Sequence, residues 1–119
     1  MDWQRANGFC KSKDAKLLEI DSSAENRAVL SEINKRGYNR QKKQFWLGLT
    51  DRRQEGKWVL ESTLEEAAFK NWAFLQPDDG GWLAKEDCAY IKTDTKWNDW
   101  SCKEKKFAFW TLNALCEKA

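Results

Sequence analysis

The side chains best suited to chemistry carry oxygen and lie in three short segments of the second half of the chain. These are residues 76–79 (Gln-Pro-Asp-Asp), 86–87 (Glu-Asp) and 98–99 (Asn-Asp). Ca²⁺ prefers such carboxylate and carboxamide oxygens and takes roughly 6–8 of them at about 2.3–2.6 Å. Taken alone, segment 76–79 is a plain polar turn that contains proline. The order of the three segments favours a calcium site, provided that the fold ties them together.

An enzyme active site is not indicated. The sequence contains no histidine that could act as a general base, and it has neither a glycine-rich phosphate loop nor a nucleophile motif. The paired acids Glu65 and Glu66 could suggest glycoside hydrolysis, but neighbours on the helix that we predict there point in different directions. We therefore expect a binding module and not an enzyme.

Length and charge indicate one domain that binds neither nucleic acid nor a membrane. With 119 residues, the chain is close to the commonest domain size, so we expect a single domain over residues 1–119. Its net charge is only +2, which does not favour binding to nucleic acid or to acidic membranes. No apolar run approaches the roughly 20 residues that span a bilayer.

The cysteines indicate disulfide bonds. The chain has four of them, without a Cys-x-x-Cys pair and without histidine, so a zinc site is disfavoured. Sequence alone leaves three pairings open. Disulfides form in oxidising compartments, so we expect a secreted or extracellular protein, although the first residues do not show a signal-peptide pattern.

Helices are predicted in the first third of the chain. Asp2 is a good N-cap for a first helix. Ser22 or Ser23 can cap a second helix, which Gly37 ends. Between the helices, residues 16–20 are interpreted as a brief extended link.

The period of the apolar pattern then changes toward strands. Strands are predicted at residues 45–49, 57–60, 88–92, 96–100 and 106–116. The first two form a hairpin across a polar turn, and the loop 73–85 is too long for a tight connection, so it is either functional or disordered. The whole pattern predicts an α+β fold.

The motifs resemble those of the carbohydrate-recognition domain of C-type lectins. The resemblance is carried by Gln-Pro-Asp at 76–78, Glu-Asp-Cys at 86–88 and Trp-Asn-Asp at 97–99, and it extends upstream to Phe-Trp-Leu-Gly-Leu at 45–49 and Phe-Lys-Asn-Trp at 69–72. It implies two helices, small antiparallel sheets and a long loop that binds calcium and sugar. It also implies the disulfides Cys10–Cys116 and Cys88–Cys102.

The resemblance further implies a ligand set for a principal calcium ion. The metal ligands would be Gln76, Asp78, Glu86, Asn98 and Asp99, with a cis peptide bond before Pro77. Two vicinal sugar hydroxyls would complete the metal shell. The sugar-binding residues would be Gln76, Asp78, Trp82, Glu86 and Asn98.

The sugar preference implied by Gln-Pro-Asp is galactose or N-acetylgalactosamine, whereas Glu-Pro-Asn in this family goes with mannose. Galactose-type members usually place a Trp directly after this segment, against the apolar face of the sugar. Here Gly80 and Gly81 intervene before Trp82. Trp82 therefore either stacks on the sugar or packs into the domain, and Trp100 is a second candidate.

A second, auxiliary calcium site is also implied. Its ligands would be Asp51, Glu55, Asp79, Glu86 and Asp87. Acids that converge without a cation repel one another. The alternative is that they are independent solvated acids in turns.

Two departures from the family pattern concern the ends of the fold. The usual first strand, which precedes the first helix and pairs with the C-terminal strand, is missing here, and thirteen residues separate Cys102 from Cys116, several more than expected. We predict that segment 107–115 keeps an unpaired edge. Either the extra residues fold over it, or a second copy of the chain pairs with it in a homodimer.

The alternative function is a C-type lectin-like domain that binds a protein, ice or a mineral surface without sugar recognition. Such relatives usually lose some calcium ligands. Because this chain keeps all five side chains of the principal set, calcium-dependent binding of galactose-type glycans is favoured.

Overall fold

The computed structural model of the protein describes residues 1–77, 87–94, 96–103 and 112–118. Over these residues the elements are α1 (Trp3–Ser12), β1 (Ala15–Leu17), α2 (Ser23–Lys35), β2 (Gln44–Thr50), β3 (Val59–Leu60), β4 (Cys88–Ile91), β5 (Trp97–Trp100), β6 (Leu112–Asn113) and β7 (Cys116–Lys118). The α+β prediction is confirmed. Within the described ranges, no helix is both long and apolar enough to cross a membrane.

Both helices begin at the predicted caps. The Asp2 carboxylate accepts a hydrogen bond from the backbone N–H of Arg5 at 2.8 Å, and the Ser22 hydroxyl accepts one from the N–H of Glu25 at 3.1 Å. Each bond satisfies a backbone donor that the first helical turn leaves without a partner. Gly37, with φ +74°, follows the end of α2 in the left-handed conformation typical of a helix C-terminus.

Strand β2 is central to the larger sheet, and its two faces pack in different parts of the core. The strand order is β3-β2-β4-β5, and β6 adds a parallel pairing to β2. Phe45, Leu47 and Leu49 pack in one buried cluster, whereas Trp46 lies in the other, with Trp3. Alternation along an extended strand places successive side chains on opposite faces. The predicted hairpin and the strands β4 and β5 are confirmed.

The smaller sheet changes two predictions, one about the link after α1 and one about the C-terminal strand. Residues 15–17, which overlap the predicted extended link at 16–20, form β1, which pairs antiparallel with β7. The last predicted strand, over residues 106–116, is instead two short strands where it is described, and β7 continues to Lys118. No strand precedes α1 among the described residues, so β1 is the partner that the C-terminal strand uses.

The predicted unpaired edge at segment 107–115 is wrong for the part that the structure describes. Residues 107–111 lie outside the described ranges. Leu112 and Asn113 pair with β2, the amino terminus of Met1 donates to the Leu112 carbonyl at 2.9 Å, and the Leu115 carbonyl accepts from the N–H of Leu18 at 2.9 Å. Backbone groups there have partners within the chain.

The helix predicted around Glu65 and Glu66 is also wrong. The Glu65 carbonyl accepts from the N–H of Leu60 at 3.0 Å, and Glu66 forms an isolated antiparallel bridge with Val59. This segment is extended. Its backbone hydrogen bonds join it to strand β3 of the hairpin and do not follow the pattern of a helix.

Candidate metal and ligand site

Strands β4 and β5 form the rigid base of the site. They pair with Ala89 opposite Asp99 and Tyr90 opposite Asn98. The disulfide between Cys88 and Cys102 joins the end of this pair, with an S–S distance of 2.03 Å. A second disulfide, Cys10–Cys116, links α1 to β7. Both pairings are those that the family resemblance implies.

The loop before residue 76 is anchored on β5 by backbone bonds and aromatic rings. The N–H of Ala73 donates to the Trp97 carbonyl at 2.8 Å, and the N–H of Trp97 donates to the Asn71 carbonyl at 3.0 Å. The ring of Trp72 meets that of Trp97 edge-on, with centroids 5.9 Å apart. The peptide bond between Gln76 and Pro77 is cis.

Gln76 reaches from this loop to β5. Its side-chain oxygen accepts a hydrogen bond from the backbone N–H of Asp99 at 3.3 Å, across 23 residues of sequence. Asp99 is buried, with 3% of its surface exposed. The described structure therefore brings Gln76 together with the segment that contains Asn98 and Asp99. The other residues of the principal and sugar-binding sets, Asp78, Trp82 and Glu86, lie outside the described residues.

Asn98 has an oxygen that suits a metal ion. Its Nδ2 donates to the Tyr90 hydroxyl at 3.2 Å, while its Oδ1 is buried and has no hydrogen-bond partner within the described ranges. A buried oxygen without a partner is costly, and such exceptions call for an explanation. A cation at this oxygen would provide one, so the donor set fits the implied metal.

Tyr90 is a site residue that the sequence analysis missed. It lies directly opposite Asn98 in the sheet, and its hydroxyl fixes which end of the Asn98 amide is left for a ligand. The predicted strands at 88–92 and 96–100 indicate that these segments pair, but the register that places residue 90 opposite residue 98 comes from the structure.

Part of the implied auxiliary site forms an acidic cluster. Carboxylate oxygens of Asp51, Glu55 and Asp87 lie within 4.8 Å of one another, so this cluster could hold a metal ion. The N–H of Asp51 donates to the Asp87 carbonyl at 3.0 Å, which holds the two segments together. Asp79 and Glu86, the remaining members of the predicted set, lie outside the described residues.

Burial and two neighbouring acids determine the electrostatics of Asp51. Asp51 is 2% exposed; its Oδ2 accepts from the N–H of Gly56 at 2.9 Å, and its Oδ1 is buried with no hydrogen-bond partner in the described part of the chain. Burial, followed by a hydrogen bond with Glu55 and the proximity of Asp87, raises the pKa of Asp51 to about 8. A cation would reverse this preference by stabilising the ionised carboxylates.

Trp100, the second candidate for sugar stacking, is half-buried and packs against the cluster that contains Trp3 and Trp46. This packing engages its ring inside the domain. The alternative candidate, Trp82, lies outside the described residues.

Comparison with known proteins agrees with this arrangement. The family model described as "Lectin C-type domain" matches residues 1–118. The chain belongs to the C-type lectin domain family. This lectin domain is 36% identical to rat asialoglycoprotein receptor 2, over 89% of the chain and 36% of the relative. It is 33% identical to chicken hepatic lectin, over 86% of the chain and 45% of the relative. The chain thus spans less than half the length of these curated relatives.

Among solved structures, the carbohydrate-recognition domain of mouse scavenger receptor C-type lectin superposes with a TM-score of 0.73 at 31% identity, covering 87% of this chain and 73% of that one. The lectin CEL-I from Cucumaria echinata gives the same TM-score at 28% identity, covering 86% of this chain and 76% of that one. The expected fold is confirmed, and the family is one of binding proteins and not of enzymes.

Proposed function

We propose that this domain binds galactose or N-acetylgalactosamine through a calcium ion held by Gln76, Asp78, Glu86, Asn98 and Asp99. The observation that carries the proposal is the contact between the Gln76 side-chain oxygen and the Asp99 backbone at 3.3 Å. It brings two of the three ligand segments together. When bound, Ca²⁺ offers open coordination positions to two vicinal sugar hydroxyls.

The sugar is oriented by the positions of the hydrogen-bond donors and acceptors that the protein side chains offer to its hydroxyls. The carboxamide of Gln76 supplies an N–H donor, and the carboxylate of Asp78 accepts. This order is the galactose-type order of the family. The names of the relatives support glycan binding, since they are an asialoglycoprotein receptor and a hepatic lectin.

We propose a second calcium ion at the auxiliary site, held by Asp51, Glu55 and Asp87 together with Asp79 and Glu86. The buried, unpartnered Oδ1 of Asp51 supports this assignment, as does the close approach of three carboxylates. Binding of the ion would join the turn that contains Asp51 to the segment that contains Asp87. Its expected role is to order the ligand loop.

The cellular setting and the assembly belong to the same proposal. Two disulfides support an oxidising, extracellular location, and one domain over residues 1–119 is proposed. A homodimer through segment 107–115 stays a prediction, although Leu112, Asn113 and Leu115 already have backbone partners within the chain. Light scattering at several protein concentrations would test it.

The proposal is tested on a galactose-agarose column. We expect retention in CaCl₂, elution by EGTA, and competition by free galactose or N-acetylgalactosamine that is stronger than competition by mannose. Retention that persists in EGTA, or a preference for mannose, would contradict the galactose-type mechanism. Absence of retention in CaCl₂ would favour a lectin-like domain with a protein, ice or mineral ligand.

A further inference from the structure

Two large apolar side chains project into solvent beside the proposed sugar site. Phe74 is 91% exposed and Leu75 is 77% exposed, whereas the other exposed large apolar residues in the described ranges do not exceed 46%. Exposing two such side chains side by side gains nothing for the fold, because apolar surface is stabilised by leaving water. Their position directly before Gln76 connects them to the site.

The backbone holds this pair outward in a tight turn. The N–H of Gln76 donates to the Ala73 carbonyl at 2.9 Å, so Phe74 and Leu75 occupy the two central positions. Leu75 has φ +64°, in the left-handed region that this turn position usually reserves for glycine. A leucine in an uncommon backbone conformation, with its side chain in water, points to a role outside folding.

The turn is fixed at both ends and does not depend on its apolar side chains for anchorage. Ala73 is bound to Trp97 through its N–H at 2.8 Å, and Gln76 is bound to Asp99 through its side chain at 3.3 Å. The pair is therefore a preorganised surface, which loses little conformational entropy when a ligand covers it.

The residues next to Phe74 and Leu75 indicate which kind of ligand covers this pair. Asp78 and Asp79 follow the turn in sequence, and both are ligands of the proposed calcium ions. Phe74 and Leu75 directly precede Gln76, so the pair borders the proposed sugar site. Continuity with the sugar site favours the bound glycoconjugate itself as the occupant.

We propose that Phe74 and Leu75 form an apolar subsite for the aglycone of a galactoside, so that the domain prefers galactosides whose anomeric substituent is aromatic or aliphatic. This inference rests on the proposed function, because the calcium-bound galactose places the aglycone. It adds a specificity element that the calcium ligands do not supply.

The test compares methyl β-galactoside with phenyl β-galactoside by isothermal titration in saturating CaCl₂. The natural chain is expected to bind the phenyl compound about four- to fifteenfold more tightly, the factor given by burial of one or two CH₂-sized groups. Phe74→Ala and Leu75→Gly should lose this preference and keep the affinity for the methyl compound. Glycine fits the positive φ at position 75, so that variant keeps the turn.

Two matched controls separate the subsite from general effects. Leu64→Gly alters an exposed leucine that also has positive φ, at +63°, and Phe9→Ala alters an exposed phenylalanine on α1. Both controls should keep the phenyl preference. Equal affinities in the natural chain, or a preference that survives both Phe74→Ala and Leu75→Gly, would overturn the subsite alone. If neither galactoside binds, the proposed function fails and the subsite fails with it.

Discussion

The side-chain oxygen of Gln76 lies 3.3 Å from the backbone nitrogen of Asp99. This bond closes the gap between the proline-containing loop and strand β5. An amide oxygen has two lone pairs, so a hydrogen bond from Asp99 is compatible with a cation at the same oxygen. The contact positions Gln76 beside the segment that contains the other proposed ligands Asn98 and Asp99.

Exchanging amide and acid across Pro77 should change the sugar preference. In the double variant Gln76→Glu with Asp78→Asn, each position keeps an oxygen that can bind Ca²⁺, while the donor and acceptor offered to the sugar trade places. We expect calcium affinity to stay within a few-fold and the preference to move from galactose to mannose. Competition against immobilised galactose and immobilised mannose measures the change.

A large loss of calcium affinity in this double variant would count against the roles given to Gln76 and Asp78. The control is Gln41→Glu, which changes an exposed amide in the turn after α2 and should alter neither property.

Removing the Tyr90 hydroxyl should weaken calcium binding without unfolding the domain. Tyr90→Phe deprives the Asn98 Nδ2 of its acceptor at 3.2 Å, so the amide is no longer held with its oxygen free. Loss of such a supporting contact typically costs about 10–100-fold in metal affinity. A calcium titration followed by tryptophan fluorescence checks this.

Tyr38→Phe is the matched control, because Tyr38 lies after α2 and packs on Phe45, with ring centroids 5.3 Å apart. If Tyr90→Phe binds calcium as tightly as the natural chain does, the hydroxyl does not position Asn98.

The helix ends could be predicted from the sequence because their causes are local. Asp2, Ser22 and Gly37 act on backbone groups within one turn of themselves. The pairing of β1 with β7 could not be predicted, because it joins residues at opposite ends of the chain and three residues are too few for an alternating pattern.

The candidate site shows the same division between local and distant information. The motifs named Gln76, Asn98 and Asp99, and the structure joins their segments. The apolar turn formed by Phe74 and Leu75 was missed, because a side chain's exposure depends on the surrounding fold and not on its own residue type.

Loss of the Cys88–Cys102 bond should impair the site more than the core. The bond closes a loop with a sequence separation of 14, and such a crosslink stabilises by about 3 kcal/mol. In Cys88→Ala with Cys102→Ala we expect that loss in the free energy of unfolding and a lower calcium affinity, because the covalent link between β4 and the segment after β5 is lost beside Asp87.

The comparison is Cys10→Ala with Cys116→Ala, whose bond spans 106 residues and is remote from the ligands. It should lose more stability, about 4–5 kcal/mol, but keep its calcium affinity at a temperature where it stays folded. Equal calcium affinities in the two double variants would contradict the positioning role.

The pH dependence of the metal-free protein should report on Asp51. Its folded-state pKa is raised from 3.8 to about 8, so between these values the folded chain holds a proton that the unfolded chain has lost. The free energy of unfolding in EGTA should therefore fall as the pH rises from about 4 to about 8. Urea unfolding at several pH values measures the slope.

Asp51→Asn should flatten this slope, and Asp14→Asn, which changes an exposed acid, should leave it in place. Saturating Ca²⁺ should reverse the trend for the natural chain, because the ion binds the ionised carboxylate. A metal-free stability that rises steadily over this pH range would show that Asp51 is not buried among acids.

The central claim is that galactose binds to a calcium ion held by Gln76 and its partner ligands. The most direct measurement is a pair of isothermal titrations of galactose into the protein, one in CaCl₂ and one in EGTA, on the same folded sample. The account predicts saturable binding in CaCl₂ and none in EGTA. Binding of equal affinity in both buffers would contradict it.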